Sequence, residues 1–202
     1  METDWEVEVG GGAPVIEALW PGFIDLRCSP ELLGEIAEAA VFPALADLLL
    51  ALNGPASPLW TAKCDLWEPD PAELAIPELT SLAAVSNTGV QPAAVACYVD
   101  LLPVEGRVFA QWPQAEQFCR EWIARLGPLP LSNCRVDLIV RQALAGEVEG
   151  FGVTAYLSGM GKDRSTAAKA LSVALAAFAG SIPASAAPIT AAAKLQWKSV
   201  GE

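Results

Sequence analysis

Four short segments of the chain repeat one pattern, in which an apolar residue or Cys precedes Asp-Leu within a run of strand-forming residues. Along a β-strand, successive side chains point to opposite faces of the sheet. Each run therefore has an apolar face, which carries its Cys, and a second face with the Asp and nearby basic or aromatic groups. We expect a sheet that is buried on one face and polar on the other. The segments are Gly22–Cys28, Lys63–Trp67, Cys97–Leu102 and Cys134–Arg141.

Further periodic segments surround these runs and predict an α+β fold. The first half contains a strand at Asp25, a helix that begins at Ser29-Pro30 and is divided at Pro43, and a second strand. A short helix is expected at 78–86. Residues 91–202 follow the order strand, helix, strand, strand, helix, strand, which resembles the ferredoxin-like arrangement. These last elements are expected at Ala93–Leu102, Pro113–Leu126, Cys134–Leu144, Gly150–Ser158, Ser165–Ala179 and Ala193–Lys198.

The expected sheet is antiparallel or mixed, with helices mainly on one face. We divide the chain into an N-terminal half, 1–90, and a ferredoxin-like C-terminal half, 91–202, which share one compact domain. The four Asp-Leu segments recur at similar intervals, so the first half is a candidate duplicate of a strand-plus-helix unit. A chain of 202 residues with 53% hydrophobic and 18% charged residues has enough apolar surface for a real core.

The charge of the chain restricts its partners. Its formal net charge is −12, and the 12 basic residues are scattered singly. Nucleic acids and anionic membranes both require clustered basic groups, so we expect neither as a partner. The apolar run 170–182 is too short and too rich in Ala to span a bilayer, and it predicts a buried helix. An acidic N-terminus without a secretion signal favours the cytoplasm.

The absence of His removes the commonest metal ligand and general base, together with every Ser-His or Cys-His nucleophile pair. The five Cys are far apart and show no zinc-binding spacing, so the sequence predicts no metal site and no cofactor. Four of them are expected on the apolar side of strands and Cys119 within a helix. Buried Cys behaves as a small hydrophobe, and we expect five inert, unpaired thiols.

The first candidate site is the polar face of the sheet. One interpretation is a solvated face with ordinary cross-strand ion pairs. The alternative is a partly covered cleft, in which carboxylates hold Mg²⁺ or Ca²⁺ and basic groups orient an anionic ligand. The expected members are Asp25, Arg27, Lys63, Asp65, Asp100, Arg135, Asp137 and Arg141.

The second candidate is an anion site at the turn that follows Tyr156. Backbone N–H groups at a helix N-terminus, with two nearby cations, can bind an anion. Its residues are Gly161, Lys162, Arg164 and Ser165. This stretch resembles the phosphate-binding loop of tyrosine-phosphatase-like enzymes, in which a nucleophilic Cys lies six positions before the Arg. Here Ser158 stands at that position and Leu157 replaces the His that normally precedes it. The alternative interpretation is a helix cap.

The seven Trp are the third feature. Trp60 and Trp67 flank Asp65 and would point to opposite faces of a regular strand, with Trp67 on the polar face. An aromatic ring beside charged groups can form the floor of a ligand site or anchor a protein interface, or can simply cover the sheet. Trp122 lies on the apolar stripe of a helix, where we expect it in the core.

No motif identifies a reaction, and the sequence indicates no catalytic residue. We expect a binding or protein-interaction module that uses the polar sheet face, with a protein partner or a second copy of the chain. The alternative is an enzyme that acts on a small phosphorylated or carboxylated compound held at the 159–165 loop. In that case Lys162 and Arg164 would bind the anion, and a carboxylate such as Asp100 or Asp137 would be the base.

Overall fold

The computed structural model describes residues 1–69, 93–127 and 131–182. Within these ranges the protein is an α+β fold built on one mixed sheet of six strands. The strands are β1 (Glu2–Glu8), β2 (Ile16–Ala18), β3 (Leu59–Trp67), β4 (Ala93–Pro103), β5 (Cys134–Ala145) and β6 (Val148–Gly161).

Within the described ranges, the helices are a 3-10 turn and four α-helices. Pro43 begins a new helix, as expected, because it has no N–H to donate to a preceding turn. Their bounds are Pro30–Glu35 for the 3-10 turn, α1 (Ala37–Val41), α2 (Pro43–Leu52), α3 (Trp112–Leu126) and α4 (Arg164–Ser181). Among the described residues, no helix is long and apolar enough to cross a membrane.

The sheet has the strand order β1-β5-β6-β4-β3, and β2 continues the edge formed by β1. Strands β1 and β2 pair with β5 in parallel, whereas the other pairs are antiparallel. The two halves of the chain therefore contribute to one sheet. Strands β5, β6 and β4 are adjacent, as in a ferredoxin-like arrangement, but β3 occupies the position beside β4. The predicted strand 193–198 lies outside the described residues, so the ferredoxin-like arrangement stays a prediction.

The core has two parts on opposite faces of the sheet. The larger part lies under α2, α3 and α4 and includes the fully buried Trp122, which confirms its expected place. A smaller apolar cluster covers one end of the other face, around Trp60 and Leu102, with Ile16 and Ala18 from β2. The rest of that second face is mainly polar, although the buried Ala94, Ala96 and Met160 also lie on it.

A β-bulge in β3 changes which side chains share a face. The register shifts between Thr61 and Lys63, so that Trp60 lies opposite Leu102 and Trp67 lies opposite Ala96. A bulge inserts one extra residue and reverses the alternation beyond it. Trp60 and Trp67 therefore lie on the same face, and the prediction of opposite faces was wrong because it assumed a regular strand.

The strand expected at Asp25 is also absent. Residues 26–28 form a turn, in which the backbone N–H groups of Cys28 and Ser29 donate to the carbonyl of Asp25. The Asp25 side chain accepts hydrogen bonds from Arg27, and Cys28 is exposed. The turn is favoured over the predicted strand because the Asp25 carboxylate accepts hydrogen bonds from nearby donors. In a strand these donors would point away from it. The proposed duplication stays a prediction, but its first unit is not a strand, and the helix expected at 78–86 lies outside the described residues.

Candidate functional site

One face of the sheet, opposite α2, α3 and α4, collects most of the predicted site residues. Cross-strand register places Lys63 opposite Asp100, Asp65 opposite Tyr98, and Asp137 opposite Tyr156. Directly opposed side chains of neighbouring strands point to the same face. We call this surface the polar face; its members are Glu2, Asp4, Glu6, Glu8, Lys63, Asp65, Trp67, Tyr98, Asp100, Arg135, Asp137, Ile139, Arg141, Thr154, Tyr156 and Ser158.

Three aromatic rings form the centre of the polar face. The Tyr98 and Tyr156 rings are 5.8 Å apart between centroids, and the Trp67 ring lies 6.2 Å from Tyr98 and 6.3 Å from Tyr156. All three side chains are half-buried. We call them the aromatic cluster. Their contacts with one another restrict each ring, so the cluster presents a fixed surface to solvent.

Two arginines lie along β5 beside this cluster. Arg141 donates to the Tyr156 hydroxyl at 3.0 Å and pairs with Glu8 at 2.8 Å. Arg135 pairs with Asp137 at 2.6 Å and lies 3.7 Å from Glu2. The hydrogen bond with Asp137 is the leading cause that raises the pKa of the Arg135 guanidinium. Both arginines therefore join β1 to the centre of the sheet.

Asp100 is the buried carboxyl of the polar face. Only 5% of the residue is exposed, and the Thr154 hydroxyl donates to it at 2.6 Å. Burial raises the pKa of Asp100 to about 6, although the bond from Thr154 and the charges of Arg141 and Lys63 act to lower it. Lys63, opposite Asp100, is exposed, and its hydrogen bond with Tyr98 raises the pKa of the ammonium group. A carboxyl of this kind changes charge near neutral pH.

Two predicted members, Asp25 and Arg27, do not join the polar face. Their turn lies at the apolar end of the same side of the sheet, where the Arg27 guanidinium stacks 4.0 Å from the centre of the Trp60 ring. The two side chains form an ion pair at 2.8 Å. Burial acts to raise the pKa of Asp25, but the hydrogen bond and charge of Arg27 outweigh it and lower the pKa. Six of the eight predicted residues are thus brought together, and these two pack instead over the small apolar cluster.

The predicted anion loop is a short connection between a strand and a helix. Gly159 and Gly161 belong to strand β6, and only Lys162 and Asp163 separate it from α4. Asp163 caps the helix, since its carboxylate accepts from the backbone N–H of Thr166 at 2.8 Å and from the Thr166 hydroxyl at 2.7 Å. These bonds lower the pKa of Asp163. The cap carboxylate thus occupies the position that an anion would need.

The cations of this loop do not converge on a common point. Arg164 forms an ion pair with Glu68 at 2.5 Å, and the side chains of Lys162 and Ser165 are exposed. Ser158, which stands where the phosphatase loop has its nucleophile, lies on the polar face within β6. The helix-cap interpretation accounts for the observed hydrogen bonds.

The five cysteines are free thiols. Cys97, Cys119 and Cys134 are buried and Cys64 is half-buried, whereas Cys28 is exposed because its segment forms a turn and not a strand. Burial raises the pKa of Cys64 and of Cys119 to about 12. In the described parts of the chain, no group of three or more Cys, Asp or Glu could hold a metal ion.

Sequence reasoning missed several members of the polar face. Tyr98, Tyr156 and Thr154 lie within predicted strands but were not assigned to it, although their alternation with buried neighbours could have placed them there. Strand β1 was missed entirely. Its signal is the strict alternation of Thr3, Trp5 and Val7 with acidic residues.

Comparison of the chain with models of known protein families, with curated proteins and with solved structures finds no match.

Proposed function

We propose that this protein is an interaction module that binds a protein partner through the polar face, with the aromatic cluster at the centre of the contact. One observation carries the proposal. Trp67, Tyr98 and Tyr156 contact one another on the face of the sheet opposite the helices of the described ranges, beside the Arg141 guanidinium.

The composition of this surface supports a protein contact. Trp, Tyr and Arg dominate the binding energy of protein interfaces, whereas Lys, Glu and Asp are typical of the rim. Tyr98 and Tyr156 lie on the adjacent strands β4 and β6, within the sheet, so binding costs them little backbone entropy. A rigid aromatic centre with a charged rim is the arrangement that a stable contact requires.

The enzyme alternative receives less support from the geometry. Gly161 pairs with Ala93 and Thr154 pairs with Asp100, so the anion loop and the buried carboxyl are seven positions apart along β4. At a rise of about 3.4 Å per residue, the two lie roughly 24 Å apart. A small substrate held by Lys162 and Arg164 would not reach Asp100.

We further propose a cytoplasmic location, which the five free thiols support.

A displayed library of random peptides tests the proposal. Peptides selected on the native protein should bind Trp67→Ala at least about thirtyfold more weakly than wild type, as expected for an interface hot spot of about 2 kcal/mol. Trp112→Ala is the matched control, because Trp112 is exposed at the start of α3, away from the sheet.

Fluorescence anisotropy with labelled peptides gives the affinities, and the melting temperature of each variant shows that it is folded. Peptides that bind Trp67→Ala as tightly as wild type would overturn the proposal. So would a selection that yields no binder, or binders that require Trp112.

A further inference from the structure

An acidic row borders the polar face along β1. Glu2, Asp4, Glu6 and Glu8 alternate with half-buried residues and project on the side of the polar face. Glu2 and Glu8 pair with Arg135 and Arg141. Asp4 and Glu6 form no ion pair among the described residues. Within the described residues, half of the row therefore has no direct ion pair.

The register between β1 and β5 brings one of these carboxylates close to a further negative charge. Asp4 lies directly beside Asp137 of β5, and Glu6 lies beside the apolar Ile139. Adjacent like charges on paired strands are unfavourable, and a cation placed between them relieves the repulsion. Arg135 already bonds to Asp137, and its pKa responds to the charges of Glu2 and Asp4 as well. The Arg135 guanidinium is thus shared among several carboxylates.

The polar face as a whole has an excess of negative charge. Its cations are Lys63, Arg135 and Arg141, and its carboxyl groups are Glu2, Asp4, Glu6, Glu8, Asp65, Asp100 and Asp137. A second copy of the same face would be repelled, whereas a basic surface would be attracted. The charge argument therefore favours a basic partner over self-association.

A groove and an open edge indicate the shape of that partner. Asp4, Glu6, Asp137, Ile139 and Tyr156 line a surface groove between β1 and the aromatic cluster, with Arg135 and Arg141 at its sides. Within the described ranges β1 is an edge strand, paired only with β5. Alternate residues of a strand lie about 6.6 Å apart, and an extended peptide repeats with the same spacing. An open edge also provides the backbone groups that strand addition uses.

We propose that the partner docks an extended segment with Lys or Arg at alternate positions along β1, so that its cations meet Asp4, Glu6 and Asp137. The inference rests on the proposed function, since the aromatic cluster lies beside the same groove. Apolar or aromatic groups that flank the basic positions would contact Tyr156 and Trp67.

A synthetic eight-residue peptide of alternating Lys and Thr is the probe, and its isomer with four Lys followed by four Thr is the control for charge without alternation. The protein variant is Asp4→Asn with Glu6→Gln, which keeps side-chain shape at two exposed positions. The matched control is Glu147→Gln with Glu149→Gln, which removes the same charge from exposed positions at the β5–β6 turn.

Titration calorimetry should show that the β1 variant binds the alternating peptide about tenfold more weakly than wild type. The control variant should stay within about twofold, since long-range charge is screened at physiological salt. Equal losses in both variants, equal affinity for the two peptides, or no binding to wild type would overturn the inference.

The library-selected peptides distinguish this failure from failure of the proposed function. Peptides that require Trp67 but bind the β1 variant with wild-type affinity would support the interaction module and exclude the basic partner. Peptides whose affinity depends on neither Trp67 nor the β1 carboxylates would exclude both proposals.

Discussion

At Asp100, one carboxyl combines burial with a charge that the surrounding residues only partly compensate. Its raised pKa means that the folded protein binds a proton more tightly than the unfolded chain does. The resulting stabilisation is fully present below the ordinary pKa of 3.8 and is lost as the pH rises through about 6. Ionised Asp100 therefore opposes folding at neutral pH, and Lys63 and Arg141 reduce that cost without removing it.

Asp100→Asn should remove this part of the pH dependence, because the amide keeps an acceptor for Thr154 and does not titrate. From pH 4 to pH 7.5, the unfolding free energy of wild type should fall relative to the variant by on the order of 2 kcal/mol. Urea titrations at several pH values measure it. Asp65→Asn, at an exposed position of the same face, should keep the wild-type profile. Parallel profiles for wild type and Asp100→Asn would contradict the prediction.

Among the elements, β6 and α4 are held at unusually close range by glycine. A Cβ added at Gly159 would lie 2.1 Å from the backbone nitrogen of Leu171, and one at Gly161 would lie 2.7 Å from that of Ala167. The glycines that suggested a phosphate loop therefore serve the packing of a strand against a helix. Asp163 then begins the helix as its cap.

Gly159→Ala should force α4 away from the sheet and lower the unfolding free energy by about 3 kcal/mol, near the upper end for overpacked cores. Gly180→Ala is the matched control within α4, since no described residue lies within 4 Å of its added Cβ. That change should be neutral or stabilise by up to about 1 kcal/mol through helix propensity. Denaturant titrations compare the two variants, and a Gly159→Ala protein as stable as wild type would show that the close contact is not required.

For the whole molecule, the sheet joins residues that are far apart in sequence. Strand β1 pairs with β5, and β3 pairs with β4, so each half of the chain supplies strands to the other. One large apolar cluster lies beneath α2, α3 and α4. Because the described parts of both halves share this sheet and this cluster, we expect that neither half folds independently.

Unfolding should therefore be a single transition. Urea titrations followed by tryptophan fluorescence and by far-ultraviolet circular dichroism should give the same midpoint, because Trp60 and Trp122 are both fully buried in the shared fold. Trp112→Phe, which changes an exposed ring, is the control for signal assignment. Two separated midpoints would contradict the shared domain.

Local patterns were enough for most elements and for part of the polar face. Alternation of apolar and polar residues located β3, β4, β5 and β6, since the period of a strand is a property of the chain itself. The same alternation put Lys63, Asp65, Asp100 and Asp137 on one side of the sheet. Proline and the apolar stripe located α2 and α3 for the same reason.

Tertiary structure decided what depends on neighbours. The bulge after Thr61 brought Trp67 and Trp60 to one face, because an extra residue shows only against the paired strand. The turn at Asp25 replaces a predicted strand, and pairing with β5 places the acidic N-terminal strand at the edge of the sheet formed by the described residues. Strand order and register are set by long-range packing, which no local period encodes. The aromatic cluster exists only because that register places Tyr98 opposite Tyr156.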